Sequence, residues 1–477
     1  MGFLHWRLYI PCITSLDDAL MVPAKRQRTS SSELTLDDLP RQRFAELLTR
    51  LRSLPAGEDT ARYMVYAEAA FVSHSFTLAL KLSEEALALC WTALHTGPWK
   101  SVANEWRSAY MAAALICACS KWHRTTMATR ASGCIENNEH LSGLRALDMG
   151  LMLGDLSLRP QLLRAIRAWE HASGNALSHQ GAGWVSRPAA ANATTTPRPL
   201  SGCLPTLQRM QLPSLAYFFN ECMQPGRPAI LCGVIDSWPA LTTRPWSDLG
   251  YLDAVIGHRT VPIEFGTSYL DEHFDERLMT FHTFMEEHLE RPAPPLGAPR
   301  GYLAQHQLFE QCEQLRRDVV IPDYCALSVD DEQSDGNEEE VEAAAGGGAS
   351  PSNSAASQGI DGVRVNAWFG PAGTLSPLHC DRYHNLFCQV VGSKYVRLYA
   401  PEHAARLYPH ESGAHAGVSS RIIDPDDTTT CAAFPELASA PYVDVLLHAG
   451  DVLFIPRQWW HMVESREVSM SVSFWWL

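Results

Sequence analysis

The sequence lacks the features that mark membrane-spanning, disulfide-linked and zinc-finger proteins. No apolar run approaches the ~18 residues that a membrane-spanning helix requires. The 13 cysteines are scattered and form no C-x-x-C pair, which indicates free thiols in a reducing compartment rather than disulfide bonds or a zinc module. Charged residues at Arg7, Asp17 and Asp18 interrupt the apolar start of the chain, so no signal peptide is predicted. We expect a soluble, intracellular protein with no membrane partner.

The sequence also lacks a basic stripe of the kind that binds nucleic acid. Its formal net charge is −15, and eight acidic residues fall within residues 330–342 alone. We therefore expect protein partners and no direct contact with nucleic acid. A short basic cluster, Lys25 to Arg28, has two interpretations, a nuclear localisation signal or an ordinary solvated tail. On the first interpretation the protein resides in the nucleus, with the cytoplasm as a further location.

Composition and hydrophobic periodicity divide the chain into regions. In its first third, apolar residues recur at helical spacing, as at Phe44, Leu47, Leu48 and Leu51. This pattern predicts an antiparallel array of helices, whose role we expect to be the binding of protein. Farther on, an acidic run joins a stretch rich in Gly, Ala and Ser, a composition that cannot form a core. The predicted regions are a disordered tail at 1–33, a helical domain at 34–174, a linker at 175–202, and a catalytic domain at 203–477 with a disordered acidic insertion at 329–361.

Short strands dominate the predicted catalytic domain. A helix is predicted at 278–289, but after the insertion strand patterns follow one another without a long helix between them, as at 363–369, 385–391 and 394–399. Such a succession favours a closed or nearly closed antiparallel barrel. The predicted fold class is therefore α+β and multidomain, with an all-α helical array followed by a β-barrel.

One H-x-D motif and a distant histidine predict a metal site. His379 and Asp381 lie two residues apart in a strand-like segment, so their side chains share a face. His461 follows 80 residues beyond Asp381, just after the buried-strand pattern GDVLFIP. This spacing is typical of the 2-His-1-carboxylate triad, which holds Fe(II) and leaves coordination positions open. His384 lies at an odd offset from the motif and is rejected as a ligand, whereas a chance match and a zinc-binding cupin remain as alternatives.

Six phrases of the sequence, in order, resemble those of the jumonji-C oxygenases: GRPAILCGVIDSWPAL, GYLAQHQLFEQC, IPDYCAL, NAWFGPAGTLSPLHCD, GSKYVRLYAP and GDVLFIPRQWWH. The resemblance implies a double-stranded β-helix, a cupin-like jelly-roll barrel, in which His379, Asp381 and His461 bind the catalytic Fe(II). It also implies 2-oxoglutarate as cosubstrate and O2 as oxidant, with Lys394 binding the far carboxylate of 2-oxoglutarate. The alternative for Lys394 is an exposed lysine in a turn. The other residues that the resemblance places at the cosubstrate are Tyr324, Asn385, Ser376, Trp368 and Trp475.

The substrate class is open between arginine and methylated lysine. A guanidinium needs a carboxylate and flat aromatic walls, for which Glu264 and Trp368 are candidates. A methylammonium needs an aromatic cage, which the sequence does not assemble. We therefore expect hydroxylation of arginine in a histone, ribosomal or chromatin protein, with a role in chromatin and transcription, ahead of histone lysine demethylation. A histone-tail peptidase and a non-catalytic chromatin scaffold are further alternatives, although we find no peptidase motif and the triad is intact.

Overall fold

The computed structural model describes residues 36, 39–97, 101–132, 137–173, 200, 202, 206–266, 274–289, 300–329, 362–413 and 416–477. The predicted tail at 1–33, with the basic cluster inside it, lies outside the described residues. The same holds for residues 175–199 and 201 of the predicted linker and for residues 330–361 of the insertion. Among the described helices, none combines the length and the apolar character needed to cross a membrane.

The N-terminal part is helical, as predicted, and packs around one alanine-rich helix. Its helices are α1 (Arg41–Arg52), α2 (Gly57–Val72), α3 (Phe76–Leu94), α4 (Asn104–Ser132), α5 (Asn137–Leu153) and α6 (Arg159–Ser173). The predicted stripe of α1 faces the core, with Phe44, Leu47, Leu48 and Leu51 buried. Residues 109–119 of α4 are buried on every side, because their small side chains allow α3 and α5 to approach closely.

The C-terminal part consists mainly of strands. They are β1 (Arg209–Gln211), β2 (Ala229–Cys232), β3 (Thr260–Phe265), β4 (Asp275–Thr280), β5 (Gly301–His306), β6 (Arg364–Gly370), β7 (Leu375–Cys380), β8 (His384–Val391), β9 (Ser393–Tyr399), β10 (Val443–His448), β11 (Val452–Ile455), β12 (Trp460–Ser465) and β13 (Ser469–Trp476). The short helices between them are α7 (Leu215–Phe218), α8 (Leu249–Ile256), α9 (Phe281–Phe284), α10 (Leu308–Gln311), α11 (Glu313–Arg316) and α12 (Thr428–Ala433).

The strands form two sheets that pack against each other. The larger sheet has the order β1-β2-β11-β8-β13-β6-β5-β3-β4, and the smaller has the order β10-β9-β12-β7. Neighbouring strands of the described sheets run antiparallel, except that β1 and β2 are parallel. Side chains of both sheets, such as Phe387 of the larger and Val396 of the smaller, share one buried cluster. This is the cupin-like β-sandwich that the sequence predicts.

The predicted helix at 278–289 requires a correction at its start. Residues 278–280 belong to β4, which pairs with β3 along its whole length. The helix begins only at Phe281, where the Thr280 hydroxyl accepts a hydrogen bond from the backbone N–H of Thr283 at 3.1 Å. Pairing with β3 therefore overrides the local helical pattern of these residues.

Candidate metal centre

Two strands of the smaller sheet bring the predicted metal ligands together. β7 and β12 pair so that His461 lies opposite His379, with the ring centroids 4.2 Å apart. Asp381 directly follows the end of β7 rather than lying within it, and its Oδ2 is 3.6 Å from Nε2 of His461. One ligand atom from each of these residues lies within 4.8 Å of the others. His384 lies apart from this group, as predicted, and stacks on Phe454.

Backbone carbonyls fix the orientation of both histidine rings. Nδ1 of His379 donates to the carbonyl of Pro377 at 2.7 Å, and Nδ1 of His461 donates to the carbonyl of Trp459 at 3.0 Å. Since a carbonyl can only accept, each ring presents the lone pair of Nε2 to the centre. Burial, and then the neighbouring His379, lower the pKa of His461 to about 3, so this ring is neutral near pH 7. A hydrogen bond from the ring nitrogen that does not face the centre to a backbone carbonyl is typical of histidines that bind metal.

The environment of Asp381 favours a bound cation. Its Oδ2 is buried and has no hydrogen-bond partner among the described residues. Burial raises the pKa of the carboxyl, an effect that His379 partly opposes. A buried carboxylate without a donor is unfavourable, and a metal ion bound by the three residues removes this cost. Two imidazole nitrogens and one carboxylate oxygen are a donor set that fits Fe(II).

A turn with a left-handed residue joins the two ligand-bearing segments. Gln458, between β11 and β12, has a backbone φ of 66°, which is unfavourable for a residue other than glycine. Its N–H donates to the carbonyl of Asp381 at 2.6 Å. This hydrogen bond ties Asp381 to the segment that leads into His461.

Lys394 of β9 is fully buried, which excludes an exposed lysine in a turn. Its Nζ lies 3.4 Å from the hydroxyl of Tyr302 and faces the rings of Tyr302 and Phe387 at 5.7 and 5.4 Å. No carboxylate of the described residues pairs with this ammonium, and burial lowers the pKa of Lys394 to about 7. A desolvated ammonium without a counter-ion is unfavourable. The far carboxylate of 2-oxoglutarate fits this position because it supplies the missing negative charge.

Two buried polar atoms of the larger sheet also have no partner in the described part of the chain. They are Oδ1 of Asn385 and Nε1 of Trp475. Asn385 lies two residues before Phe387 on β8, so its side chain points to the face that Phe387 shares with Lys394. Trp475 of β13 lies opposite Asn385 in the sheet. A bound oxygen-rich ligand would provide hydrogen-bond partners for both atoms.

Ser376 and Trp368 lie close to Lys394 through a common neighbour, Tyr302. The hydroxyl of Tyr302 forms a hydrogen bond with Ser376 of β7. The ring of Tyr302 lies 6.3 Å from that of Trp368, and Nε1 of Trp368 donates to Oγ of Ser473 at 2.8 Å. The structure therefore groups these predicted residues around a tyrosine that the sequence analysis does not identify.

Tyr324 requires a correction. Its hydroxyl donates to the carbonyl of Pro213 at 2.6 Å, and its ring packs edge-on against Phe218. It lies in the helical turn Asp323–Ala326 rather than on a strand of the barrel, and the structure does not group it with the other predicted cosubstrate residues. Tyr302, whose hydroxyl contacts Lys394, is the tyrosine that lies among those residues. The alternation of the phrase GYLAQH, which makes Tyr302 an inward-facing strand residue, is the signal that could have found it.

Glu264, the predicted substrate contact, lies beside Tyr302 in the larger sheet. It lies on β3 opposite Tyr302 of β5 on one side and Glu276 of β4 on the other. Residues opposite one another in antiparallel strands point to the same face, so Tyr302, Glu264 and Glu276 lie in a row on one face, with Glu264 beside the tyrosine that contacts Lys394. Burial, and then the charge of Glu276, raise the pKa of Glu264 to about 8. A cationic group bound at this face would favour the ionised form of Glu264.

Comparison with known proteins agrees with the fold of both parts of the chain. The cupin-like domain family matches residues 215–477, and the family described as KDM8-like, N-terminal ARM repeats matches residues 60–182. Lysine-specific demethylase 8 of Danio rerio is 35% identical over 388 residues, which cover 81% of this chain and 84% of that protein. Lysine-specific demethylase JMJ30 of Arabidopsis thaliana is 35% identical over 455 residues, or 91% of this chain and 92% of that protein. Jumonji C domain-containing protein 5 of Drosophila melanogaster is 37% identical over 273 residues, or 57% of this chain and 59% of that protein.

These matches extend over both parts of the chain, and the triad lies within the matched cupin-like domain. The chain therefore belongs to the jumonji-C family of cupin-like oxygenases, which depend on Fe(II), 2-oxoglutarate and O2, and it carries the N-terminal ARM repeats of the KDM8-like proteins.

Proposed function

We propose that this oxygenase hydroxylates arginine side chains of protein substrates. The observation that supports the proposal is the pair of carboxylates, Glu264 and Glu276, on the face that also carries Tyr302. Because its pKa is raised to about 8, Glu264 gains a charge most readily when a cation binds beside it. A planar guanidinium donates to two carboxylates at once, which the compact ammonium of lysine does less well. The ring of Trp368 lies 6.3 Å from that of Tyr302, on the strand next to β5 on its other side, and offers a flat surface.

The residues of the site have separate roles, in binding the metal and in binding 2-oxoglutarate. When bound, Fe(II) with 2-oxoglutarate and O2 supplies the oxidation of a C–H bond, and 2-oxoglutarate leaves as succinate and CO2. His379, Asp381 and His461 provide three metal ligands and leave the other positions for the reactants. Lys394 and Tyr302 bind the far carboxylate of 2-oxoglutarate and thereby orient its keto acid end. The buried surroundings of Lys394 exclude water and so strengthen its attraction for that carboxylate.

Demethylation of methyl-lysine is the second candidate, and the names of two relatives favour it, since both are lysine-specific demethylases. The two reactions share the hydroxylation step. A hydroxyl on a side-chain carbon is stable, whereas a hydroxylated N-methyl group collapses to formaldehyde and an amine. A methylammonium is bound best by an aromatic cage. The rings of Tyr302 and Phe387 already face the ammonium of Lys394, which makes them poor walls for a second cation.

Mass spectrometry of matched peptides tests the proposal. Peptides of one sequence would carry arginine, citrulline or dimethyl-lysine at the same position and be incubated with the enzyme, Fe(II), 2-oxoglutarate and ascorbate. We expect the arginine peptide alone to gain one oxygen, and the gain to be absent with Asp381→Ala. Citrulline is the matched control because it keeps the shape of arginine and removes its charge. Loss of a methyl group with release of formaldehyde would instead support the second candidate. Unchanged peptides alongside full 2-oxoglutarate turnover would contradict both.

We also propose a protein-binding role for the helical domain and action in the nucleus on a histone, ribosomal or chromatin protein. The match to ARM repeats supports the first part, since such repeats stack into extended surfaces that bind proteins. The basic cluster of Lys25 to Arg28 supports the second. An intact triad and a buried Lys394 argue against a non-catalytic scaffold.

A further inference from the structure

We infer that Asp148, a residue of the helical domain, is a positioning residue for the 2-oxoglutarate site. It acts through the first residue of β3 and the last residue of β5, the strands that carry Glu264 and Tyr302. The inference rests on the cosubstrate site of the family and is independent of the arginine proposal.

The sheet is incomplete where these two strands meet. β3 and β5 pair only at Glu264 with Tyr302 and at Phe265 with Gly301. Beyond Tyr302, β5 departs from the regular ladder, since Gln305 has a left-handed φ of 46° and the register with β6 shifts before the end of the strand. The N–H and the carbonyl of Thr260, which open β3, therefore have no backbone partner on β5.

Side chains supply the missing hydrogen bonds, and one of them comes from the helical domain. The N–H of Thr260 donates to Oδ2 of Asp148 in α5 at 2.8 Å. The carbonyl of Thr260 accepts from Nε2 of Gln311 at 2.8 Å. Nε2 of His306, the last residue of β5, donates to Oε1 of Gln311 at 2.7 Å. Asp148, Gln311 and His306, which we call the bracket, hold the ends of β3 and β5 together.

A buried arginine fixes the bracket in place. The guanidinium of Arg259 is only 2% exposed and donates to Oδ1 of Asp148 through Nη2 at 2.5 Å and through Nε at 3.1 Å. It also donates to the carbonyl of Gln311 at 3.1 Å and lies 3.3 Å from Glu170 of α6. Since Asp148 is completely buried, neither member of the pair can move without leaving a desolvated charge unpaired.

The position of Tyr302 depends on this arrangement. Tyr302 lies four residues before His306, and its hydroxyl approaches Lys394 at 3.4 Å, a contact that a small shift of β5 would lengthen. The metal ligands lie elsewhere, on or beside β7 and β12 of the smaller sheet, which the bracket does not touch. Loss of the bracket should therefore weaken the binding of 2-oxoglutarate and spare the binding of metal.

Two variants of the full chain test this inference. Asp148→Asn keeps the size of the side chain and removes its charge, and Gln311→Met breaks the bracket from the barrel side. For each variant, titrations below its unfolding temperature would give the affinity for Mn(II) and, with Mn(II) saturating, for 2-oxoglutarate. We expect 2-oxoglutarate to bind about tenfold more weakly and Mn(II) to bind as in the parent. Glu313→Gln is the matched control, because Glu313 forms an exposed 3.4 Å ion pair with Arg167 of α6 and its loss should change neither affinity.

The same titrations can overturn the inference. It is wrong if a folded Asp148→Asn variant binds 2-oxoglutarate with the parent affinity, and also wrong if Mn(II) and 2-oxoglutarate weaken in parallel, as in a merely destabilised protein. Should Asp148→Asn fail to fold because Arg259 is left without its partner, Gln311→Met tests the bracket through which Asp148 acts, since it leaves that ion pair intact; parent affinity for 2-oxoglutarate in this variant would overturn the inference.

Discussion

Replacing Lys394 by methionine should have opposite effects on stability and on cosubstrate binding. Burial lowers the pKa of Lys394 from 10.5 to about 7, which corresponds to a cost of roughly 4 kcal/mol to the folded protein near pH 7. Because the folded pKa is below the unfolded one, this cost is largest below pH 7 and fades as the pH rises towards 10.5. Without 2-oxoglutarate, Lys394→Met should therefore be more stable than the parent, with the largest difference at low pH.

The same substitution leaves the far carboxylate of 2-oxoglutarate without a counter-charge. Removing one partner of a buried ion pair costs about 3–5 kcal/mol, so the affinity for 2-oxoglutarate should fall by a factor of about 100 to 4000. Thermal unfolding with Mn(II), with and without 2-oxoglutarate and across pH, measures both effects. We expect 2-oxoglutarate to raise the unfolding temperature of the parent and not that of the variant.

An exposed lysine provides the matched control for this experiment. Lys81→Met, on the surface of α3, should alter neither the unfolding temperature nor the response to 2-oxoglutarate by a measurable amount. A Lys394→Met protein that is less stable than the parent in the absence of 2-oxoglutarate would refute the argument from burial. A variant that 2-oxoglutarate still stabilises as strongly as the parent would refute the assignment of Lys394 to the carboxylate.

Three further predictions concern the metal, the substrate and the location. His461→Ala should abolish Mn(II) binding in calorimetry and 2-oxoglutarate turnover together, and turnover that persists would contradict the triad. Glu264→Gln should raise the KM of an arginine peptide about tenfold or more while 2-oxoglutarate turnover without peptide stays unchanged. In the parent, that KM should fall as the pH rises through about 8, because Glu264 then becomes ionised. A KM that does not change with pH would contradict the binding of the guanidinium by Glu264. Alanine at Lys25, Arg26 and Arg28 should abolish nuclear accumulation of a fluorescent fusion, and unchanged accumulation would remove the signal.

Much of the metal site could be predicted because it depends on local geometry. The i, i+2 spacing of His379 and Asp381 follows from the strand pattern, and the odd offset of His384 excludes that residue on the same ground. The pairing of His461 with His379 is not local. It followed only from the distant histidine and its strand motif, together with the resemblance to a known family.

Other features depend on contacts that a sequence pattern does not encode. The alternation around Tyr302 indicates that it faces inward, but its place beside Lys394 and Glu264 depends on which strands flank β5, and the sequence pattern does not show that. Residues 278–280 look helical by themselves and become a strand because β3 needs a partner there. The contact between Asp148 and Arg259 joins residues 111 positions apart in two domains. The residues around each of them form no motif that indicates such a contact.

The fate of isotopically labelled O2 tests the central claim most directly. The arginine peptide would be incubated with the enzyme, Fe(II), 2-oxoglutarate and oxygen-18 gas. The masses of succinate and of the peptide would then be measured by mass spectrometry. An Fe(II)- and 2-oxoglutarate-dependent arginine hydroxylase should place one labelled atom in succinate and one in the arginine of the peptide, in equal amounts, and Asp381→Ala should place none in either. Labelled succinate together with an unchanged arginine peptide would contradict the proposal that arginine is the substrate. Absence of label from succinate would contradict the oxygenase itself.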